Sequence, residues 1–310
     1  MEIYKRLSEL TIKYPNPAVA LGMFDGVHVG HASIIRRAVE LAKINKGTSM
    51  VFTFANHPLS VLNPEKMPKI IGSKSLRRSI VKNLNVDVMI ELPFTKEFSR
   101  ITPEEFLVLL SEKIAPMYVV TGQNFTFGRF GKGTGRMLIR EGVNYGFKAE
   151  ICPTVTIGRK IVSSTRIREL IANGDLISVN ELLGRPFKYV SKVVHGDRRG
   201  RKLGFPTANL EIADYRAMLP NGAYAVSVEA DNKNYCGIAN IGDNPTFNVN
   251  QRRLEVYIHN FSGNLYGQEI GISFLDRLRD EQKFNSVDEL INQLKQDLQK
   301  SIDIWRTKIQ

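Results

Sequence analysis

The 310 residues suffice for two compact domains, and 43% hydrophobic with 24% charged residues is an ordinary globular composition. This composition excludes a disordered chain, and no apolar stretch approaches the ~20 residues that a membrane-spanning helix needs. The formal net charge of +12 predicts an anionic partner, which could be a phosphorylated small molecule, an anionic membrane or nucleic acid.

Strand and helix patterns alternate through the first half of the chain. A short apolar strand at 18–21 leads into a glycine-rich turn and then into a helix with one apolar face. The pattern continues with a strand at 49–54, a helix at 74–84, a strand at 86–91, a helix at 102–114 and a strand at 118–122. This alternation predicts a doubly wound parallel α/β sheet, which binds ligands beyond the carboxyl ends of its strands.

The pattern of predicted secondary structure changes in the second half of the chain. Helices are predicted at 164–172 and 176–183, and Gly184-Arg185-Pro186 then breaks the pattern. Short alternating strands follow at 224–228, 235–241, 253–258 and 269–274, and an amphipathic helix at 286–305 closes the chain. We therefore predict two domains, residues 1–184 and 187–310, the second a small β-barrel or sandwich on which the terminal helix packs.

The cysteines and the N-terminal residues indicate the cellular compartment of the protein. Cys152 and Cys236 stand far apart and form neither a CxxC motif nor a Cys/His cluster, so neither a disulfide framework nor a zinc site is indicated. The N-terminal residues lack the apolar core of a signal peptide. A cytoplasmic protein is expected. No membrane partner is expected. No nucleic-acid partner is expected, because the basic residues form no long run and no pattern interleaved with aromatics.

The sharpest motif is GMFDGVHVGH at residues 22–31, between a predicted strand and a predicted helix. Its glycines allow the backbone to approach a phosphate, and the helix N-terminus with two nearby histidines favours an anion. The segment resembles the HxGH signature of the nucleotidyltransferase superfamily. The resemblance implies that His28 and His31 stabilise the α-phosphate of ATP in an adenylyl transfer, in a site that also contains Gly22, Phe24, Asp25 and Gly30.

A second phosphate motif is IVSSTRIR at residues 161–168. Hydroxyl groups and free backbone N–H groups at a helix start, with a guanidinium one turn on, can form a phosphate clamp, whereas the motif alone would be an ordinary helix cap. In the superfamily it accompanies HxGH. The resemblance then assigns phosphate contacts to Ser163, Ser164, Thr165 and Arg168.

Two further segments, FANHP at 54–58 and GQNFTFG at 122–128, follow predicted strands. They resemble segments of bacterial FAD synthetases, with Asn56 in place of the usual proline. The resemblance places His57 and Asn124 at the nucleotide and lets Phe54, Phe125 and Phe127 line an isoalloxazine ring. Core packing is an equal alternative for these aromatic side chains.

The second half needs another phosphate scaffold, because residues 128–134 do not match the GxxxxGK[ST] pattern of a P-loop. The segment HGDRRGRKLGFPTANL at 195–210 could cradle ATP phosphates and Mg²⁺, although a basic surface hairpin is the alternative. Its extended match is similar to the riboflavin kinase signature. That resemblance implies ATP contacts from Gly196, Gly200, Arg201, Gly204 and Thr207, and Mg²⁺ ligands at Thr207 and Asn209.

Later segments continue the riboflavin kinase resemblance in order. NIGDNPTF at 240–247 precedes LEVYI at 254–258, which places Glu255 where the family has its catalytic carboxylate and Tyr257 where relatives often carry histidine. The segment RLRDEQKF at 277–284 places Arg277 among the flavin contacts.

The chain as a whole resembles the bacterial bifunctional riboflavin kinase/FAD synthetases. The resemblance implies that ATP phosphorylates riboflavin to FMN and then adenylylates FMN to FAD with release of pyrophosphate, using Mg²⁺. Two alternatives stay open. The departure at Ala55-Asn56 could leave only one activity, and the charge of +12 could mark a nucleic-acid-binding regulator that reuses the fold.

Overall fold

The computed structural model describes residues 1–196, 200, 203–231, 233–244 and 251–309. Contacts group the chain into two compact units, and neither unit is one continuous stretch. The first unit comprises Met1–Pro68 and Lys74–Ser163, and the second comprises Lys69–Ser73 and Ser164–Gln310.

The first unit is built on a parallel sheet of six strands in the order β1-β4-β3-β2-β5-β8. The strands of the sheet are β1 (Glu2–Tyr4), β2 (Ala18–Leu21), β3 (Ser49–Phe54), β4 (Val88–Leu92), β5 (Tyr118–Gly122) and β8 (Lys148–Cys152). Two small hairpins are formed by β6 (Thr126–Phe127) with β7 (Gly133–Thr134) and by β9 (Thr156–Ile157) with β10 (Lys160–Ile161).

Helices cover both faces of this sheet, as a doubly wound fold requires. They are α1 (Val29–Ile44), α2 (Leu59–Leu62), α3 (Lys74–Asn83), α4 (Pro103–Lys113) and α5 (Gly135–Glu141). Alternate residues of β2 enter two separate cores: Ala18 and Ala20 pack with α1 and α3, whereas Val19 and Leu21 pack with α4 and α5. The predicted fold class of the first half is confirmed.

The second unit is a closed antiparallel barrel of six strands in the order β11-β12-β15-β14-β13-β16, which decides between the predicted barrel and sandwich. The strands are β11 (Phe187–Val194), β12 (Thr207–Glu211), β13 (Gly222–Ala230), β14 (Lys233–Asn244), β15 (Gln251–Ile258) and β16 (Glu269–Arg279). Among the described residues of this unit, the helices with defined bounds are α6 (Ser164–Asn173), α7 (Leu176–Leu183) and α8 (Val287–Ile309).

The terminal helix α8 packs on the barrel as predicted, but not through its apolar stripe alone. Its most buried side chains are polar: Asp297 forms an ion pair of 2.9 Å with Arg279, and Ser301 donates a 2.7 Å hydrogen bond to the Gly237 carbonyl. The indole Nε1 of Trp305 donates to the Ser227 hydroxyl at 3.2 Å. The predicted apolar residues of the stripe, Leu290, Ile291, Leu294, Leu298 and Trp305, are half-buried around these polar contacts.

A short segment from the first half of the sequence, Lys69–Ser73, belongs to the second unit. Ile70 pairs in parallel with Arg216, because its amide donates to the Tyr215 carbonyl at 2.8 Å and its carbonyl accepts from the Ala217 amide at 3.0 Å. The segment therefore pairs with the connection between β12 and β13.

The two units divide the chain at different residues from the predicted domains 1–184 and 187–310, because α6 and α7 lie in the second unit. Asn180 of α7 donates to the Phe274 carbonyl at 3.1 Å and accepts from the Phe187 amide at 2.7 Å, so two barrel strands hold this helix. Gly184 ends α7 in a left-handed conformation, with φ of 69°. The Gly184-Arg185-Pro186 break is therefore a helix end inside the second unit.

This arrangement predicts different stabilities for two fragments of the second unit. A fragment beginning at Ser164 should melt several degrees above one beginning at Phe187, since the shorter fragment lacks α7 and the two hydrogen bonds of Asn180, at about 1 kcal/mol each. Circular dichroism melting and FMN production from riboflavin would check both fragments. Equal melting temperatures would contradict a stabilising role for α7, and a folded but inactive shorter fragment would mean that the kinase site needs residues before 187.

Candidate active sites

Three of the sequence motifs in the first unit follow adjacent strands of the sheet. The loops after β3, β2 and β5 carry residues 55–58, 22–28 and 123–125, and these three strands are neighbours in that order. The chain passes from β2 outward through β3 to β4 and then returns to β5 on the other side of β2. The glycine-rich loop after β2 thus lies at a topological switch point, where open α/β sheets bind their ligands.

The two histidines of this loop form one compact group at the start of α1. His28 is the N-cap, and its Nδ1 accepts a 3.2 Å hydrogen bond from the His31 amide. The two imidazole rings stack with centroids 3.6 Å apart. A Cβ at Gly30 would come within 3.2 Å of the His28 ring, so glycine leaves room for the stack. Because Nδ1 of His28 is an acceptor, its Nε2 is the nitrogen that can donate to an anion at this positive helix end.

The loop that carries these histidines has an unusual backbone. Phe24, Gly26 and Val27 have positive φ values of 50°, 76° and 39°. A positive φ in a residue other than glycine costs on the order of 1–3 kcal/mol and persists only where the surroundings impose it. The Phe24 ring is fully buried, and a Cβ at Gly22 would lie 2.9 Å from it. Asp25, which lies between Phe24 and Gly26 in the sequence, is also buried.

Asn56, which departs from the family pattern, links the loops after β3 and β4. Its side chain donates to the Phe94 carbonyl at 3.1 Å and accepts from the Phe94 amide at 2.8 Å. It also donates to the Ser60 hydroxyl at 3.1 Å. Beside it, Nδ1 of His57 accepts from the Leu59 amide at 3.1 Å, which leaves Nε2 of His57 as the possible donor. The asparagine therefore fixes the loop by hydrogen bonds where the family commonly uses a proline.

The aromatic residues near these loops differ in exposure. The Phe54 ring is half-buried and meets Phe94 and Phe98 edge-on, with centroids 5.0 and 5.1 Å away. Phe125 is also half-buried and stacks on Phe127 at 6.0 Å. Phe127 itself is only 6% exposed within the hydrophobic core, so the structure favours the core-packing alternative for this residue. Asn124, at the tip of the same loop, is exposed.

The second phosphate motif lies at the start of α6. Ser163 is the last residue of the first unit and Ser164 the first of α6, while Thr165 is exposed. Arg168, one turn on, donates from Nε to the Lys69 carbonyl at 2.6 Å. That these residues contact the same phosphate as His28 and His31 stays a prediction.

In the second unit, the strand register brings three polar residues into one row. Glu255 of β15 stands opposite Asn209 of β12 on one side and opposite Asn240 of β14 on the other. Residues directly opposite in antiparallel strands share a face, with Cβ atoms about 4.5–5.5 Å apart. Thr207 stands opposite Tyr257 in the same pair of strands. Sequence motifs alone gave Asn240 no role, because only the register shows that it is a neighbour of Glu255.

Glycines let the loop before β12 approach this row closely. A Cβ at Gly196 would lie 2.3 Å from the side-chain amide nitrogen of Asn209. A Cβ at Gly200 would lie 2.3 Å from the Phe205 carbonyl oxygen, and Gly204 has a φ of +78°. The predicted phosphate contact Arg201 lies outside the described residues. At the described positions, the glycines of the motif are required by close approach or by backbone conformation.

Arg277 of β16 lies farther round the barrel. It stands opposite Tyr224 of β13, so β13 and β14 separate its strand from that of Glu255. Its guanidinium donates to the Asn221 carbonyl at 3.1 Å and pairs with Asp280 at 2.5 Å. Burial raises the pKa of the neighbouring Tyr224 hydroxyl, which donates to the Pro220 carbonyl at 2.8 Å. A flavin contact for Arg277 stays a prediction.

Comparison with known families agrees with this division of sites. A model of the FAD synthetase family matches residues 12–166, and a model of the riboflavin kinase family matches residues 183–305. The bifunctional riboflavin kinase/FMN adenylyltransferase of Bacillus subtilis is 35% identical over 92% of this chain and 91% of its own. The protein of that name from Listeria monocytogenes is 36% identical over 92% of this chain and 91% of its own.

A solved structure shares the whole architecture. It is described as a macrolide-efflux protein from Streptococcus pneumoniae, with a TM-score of 0.84 and 34% identity, over 97% of this chain and 98% of that one. Among the described residues here, no helix has the length and apolar character to cross a membrane. The sequence identity and the coverage by the curated relatives establish that this chain belongs to the family of bifunctional riboflavin kinase/FMN adenylyltransferases.

Proposed function

We propose that the second unit phosphorylates riboflavin to FMN and that the first unit adenylylates FMN to FAD, each step consuming one ATP. The observation that carries this proposal is the presence of a separate polar site in each family region. One is the stacked pair His28 and His31 at the switch point of the sheet, and the other is the row of Asn209, Glu255 and Asn240 on the barrel. The charge of +12 suits such phosphorylated substrates.

In the kinase step, Glu255 accepts the proton of the riboflavin 5′-hydroxyl while the oxygen of that hydroxyl attacks the γ-phosphorus of ATP. A new O–P bond forms, the bond from the γ-phosphorus to the β,γ-bridging oxygen breaks, and ADP leaves. Thr207 and the glycine-containing loop at 195–206 hold the phosphates in line. Asn240, on the other side of Glu255, is placed to orient the hydroxyl or the carboxylate.

Mg²⁺ fits the donors of this site. The hydroxyl of Thr207 and the side-chain oxygen of Asn209 are hard ligands that suit Mg²⁺, which usually takes few protein ligands together with phosphates and water. The Asn209 side chain is 8% exposed, and the backbone at Gly196 closes over it, so its position is fixed before any ligand arrives. When bound, the ion would neutralise phosphate charge. Arg277 is proposed as a flavin contact of the same unit.

In the adenylylation step, a phosphate oxygen of FMN attacks the α-phosphorus of ATP, and pyrophosphate leaves as the α,β-bridging bond breaks. FMN already supplies an anionic nucleophile, so the protein needs only to position the reactants and stabilise charge. His28 and His31 are the proposed donors to the α-phosphate, with Ser163, Ser164, Thr165 and Arg168 as a second phosphate clamp. His57 and Asn124 are proposed at the nucleotide, and Phe54 and Phe125 at the flavin ring.

The loop at residues 55–58 differs in sequence from the family pattern, but the hydrogen bonds of Asn56 hold it in a defined conformation. This supports retention of both activities. A cytoplasmic location, where riboflavin and ATP are available, is part of the proposal. The nucleic-acid-binding alternative gains support only from the net charge.

Incubation with riboflavin, ATP and Mg²⁺, followed by chromatography of the flavins, tests the proposal. FMN should appear first and FAD after it. Accumulation of FMN without FAD would favour the single-activity alternative. Absence of flavin turnover together with salt-sensitive binding of RNA or DNA would favour the nucleic-acid-binding alternative.

A further inference from the structure

A buried arginine of α3 contacts three elements around the loop after β2. Arg77 is 8% exposed, and its Nη1 donates to the Met23 carbonyl at 3.2 Å. Its Nη2 donates to the Phe54 carbonyl, at the end of β3, at 2.8 Å, and to Glu91 of β4 at 2.6 Å. All these residues lie in the first unit. One planar guanidinium thereby ties together the loop of the HxGH motif, the end of β3 and the interior of β4.

The Met23 carbonyl is the point at which the loop is held. It accepts from Arg77 and also from the Thr53 hydroxyl, at 3.0 Å, and both donors are almost completely buried. The next residue, Phe24, has a positive φ, and so do Gly26 and Val27, the residue immediately before His28. Two buried donors on one carbonyl therefore fix the peptide that precedes these left-handed residues, and such conformations persist only when their surroundings impose them.

The ion pair between Arg77 and Glu91 is not explained by a contribution to the stability of the fold. The Glu91 side chain is 1% exposed and pairs with both Arg77 and Arg78. A buried ion pair is weak evidence for stability, because apolar residues of similar volume often serve as well. An arginine fork, by contrast, has fixed directions and specifies geometry. Glu91 therefore orients the guanidinium of Arg77, with Nη1 directed at the Met23 carbonyl and Nη2 at the Phe54 carbonyl.

We infer that Arg77 is a positioning residue for adenylyl transfer, acting through the Met23 carbonyl to hold His28 and His31 in place, with Thr53 as its partner. In this role Arg77 acts through its contacts with Met23, Phe54 and Glu91. The inference rests on the proposed role of His28 and His31. Small misplacements of catalytic groups can cost on the order of 10²-fold in rate. Loss of the Arg77 contacts should therefore slow the chemical step.

The test compares four variants of this network with His28→Ala as the reference, all in the full chain, with FAD formation from supplied FMN and FMN formation from riboflavin measured separately. Arg77→Met should lower kcat for FAD formation by about 10- to 100-fold. Thr53→Val, which keeps the side-chain shape and removes only the hydroxyl, should lower kcat severalfold with little change in KM for FMN. Arg77→Lys should recover part of the loss, since an ammonium can reach one of the two carbonyls. FMN formation should stay unchanged in all three.

Arg78→Met is the matched control. Arg78 pairs with the same carboxylate, but among the described residues its hydrogen bonds go to Glu91 and not to Met23 or Phe54. This variant should keep kcat for FAD formation within about twofold. Equal losses in Arg77→Met and Arg78→Met would overturn the inference, because they would trace the effect to the charge balance at Glu91.

Two further outcomes separate this inference from the proposed function. Full FAD formation in both Arg77→Met and Thr53→Val, combined with a large loss in His28→Ala, would refute the positioning role alone. Full FAD formation in His28→Ala would refute the role of the histidines. If Arg77→Met fails to fold, as shown by circular dichroism, Thr53→Val and Arg77→Lys still decide the question.

Discussion

Replacement of Glu255 with glutamine is expected to abolish FMN formation from riboflavin while leaving FAD formation from supplied FMN nearly intact. Glutamine keeps the shape of the side chain and its place between Asn209 and Asn240, but it cannot accept the proton of the 5′-hydroxyl. Loss of a general base typically costs about 10²- to 10⁴-fold in rate. Separate assays that start from riboflavin and from FMN would measure the two effects in one preparation.

Glu229→Gln is the matched control for this variant. Glu229 lies on β13 of the same barrel, where it is exposed and pairs with Lys188. Its replacement should leave both activities unchanged. An equal loss of both activities in Glu255→Gln would contradict two independent sites, and unchanged FMN formation would remove Glu255 from the proposed mechanism.

Replacement of His28 or His31 with alanine is expected to lower FAD formation by about 10²- to 10³-fold, as the loss of one preorganised charge-stabilising donor typically does. The kinase activity should not change. The two single losses should not add in the double variant, because the rings stack on each other and His28 accepts from the His31 amide. Steady-state kinetics with FMN and ATP, on the single and double variants, would check both statements.

Ser33→Ala offers a control in the same turn of α1. The Ser33 hydroxyl donates to the Gly30 carbonyl at 2.9 Å, within its own turn of α1, so its loss tests whether any small change at this helix start affects the reaction. FAD formation should remain within about twofold of the starting protein. A comparable loss in Ser33→Ala would mean that the histidine variants report local unfolding of the helix start.

The sequence predicted several strands that bury apolar side chains but missed others, among them β11, which buries Phe187, Tyr189 and Val193. β3 was predicted with the bounds that it has, Ser49–Phe54, because residues 50–54 form an uninterrupted apolar and β-branched run. The edge strands β1 and β8 were missed. Both are short and only partly buried, and their polar residues hide the apolar pattern on which such a prediction depends.

The terminal helix shows a second limit. Its position was predicted from apolar spacing, yet its deepest contacts come from Asp297 and Ser301. These two lie on the same face as Leu294 and Trp305, at spacings of three and four residues. Their burial depends on partners in distant strands, Arg279 and the Gly237 carbonyl, which no local pattern contains.

The residues of the candidate sites also fall into two groups, those found from the sequence and those that were missed. Residues in glycine-rich motifs were found from the sequence, because glycine marks a close approach or a positive φ that other residues avoid. Asn240 was missed because its role depends on strand register. Arg77 was missed because two of its acceptors are backbone carbonyls, whose positions are independent of side-chain identity. The domain boundary at Gly184 stays a prediction, and its basis is a Gly-Arg-Pro break, which marks a helix end and a linker alike.

The assignment of Lys69–Ser73 to the second unit has a consequence for biosynthesis. The chain emerges from the ribosome from its N-terminus, and units that can fold early generally do so. Residues 69–73 leave the ribosome well before Tyr215, Arg216 and Ala217, which hydrogen-bond Ile70 in the finished protein. The segment acquires its native pairing only after residues 215–217, which follow β12, have been made. Truncated nascent chains that end before residue 215 should therefore be cut by protease near Ile70, and full-length chains should resist cleavage there.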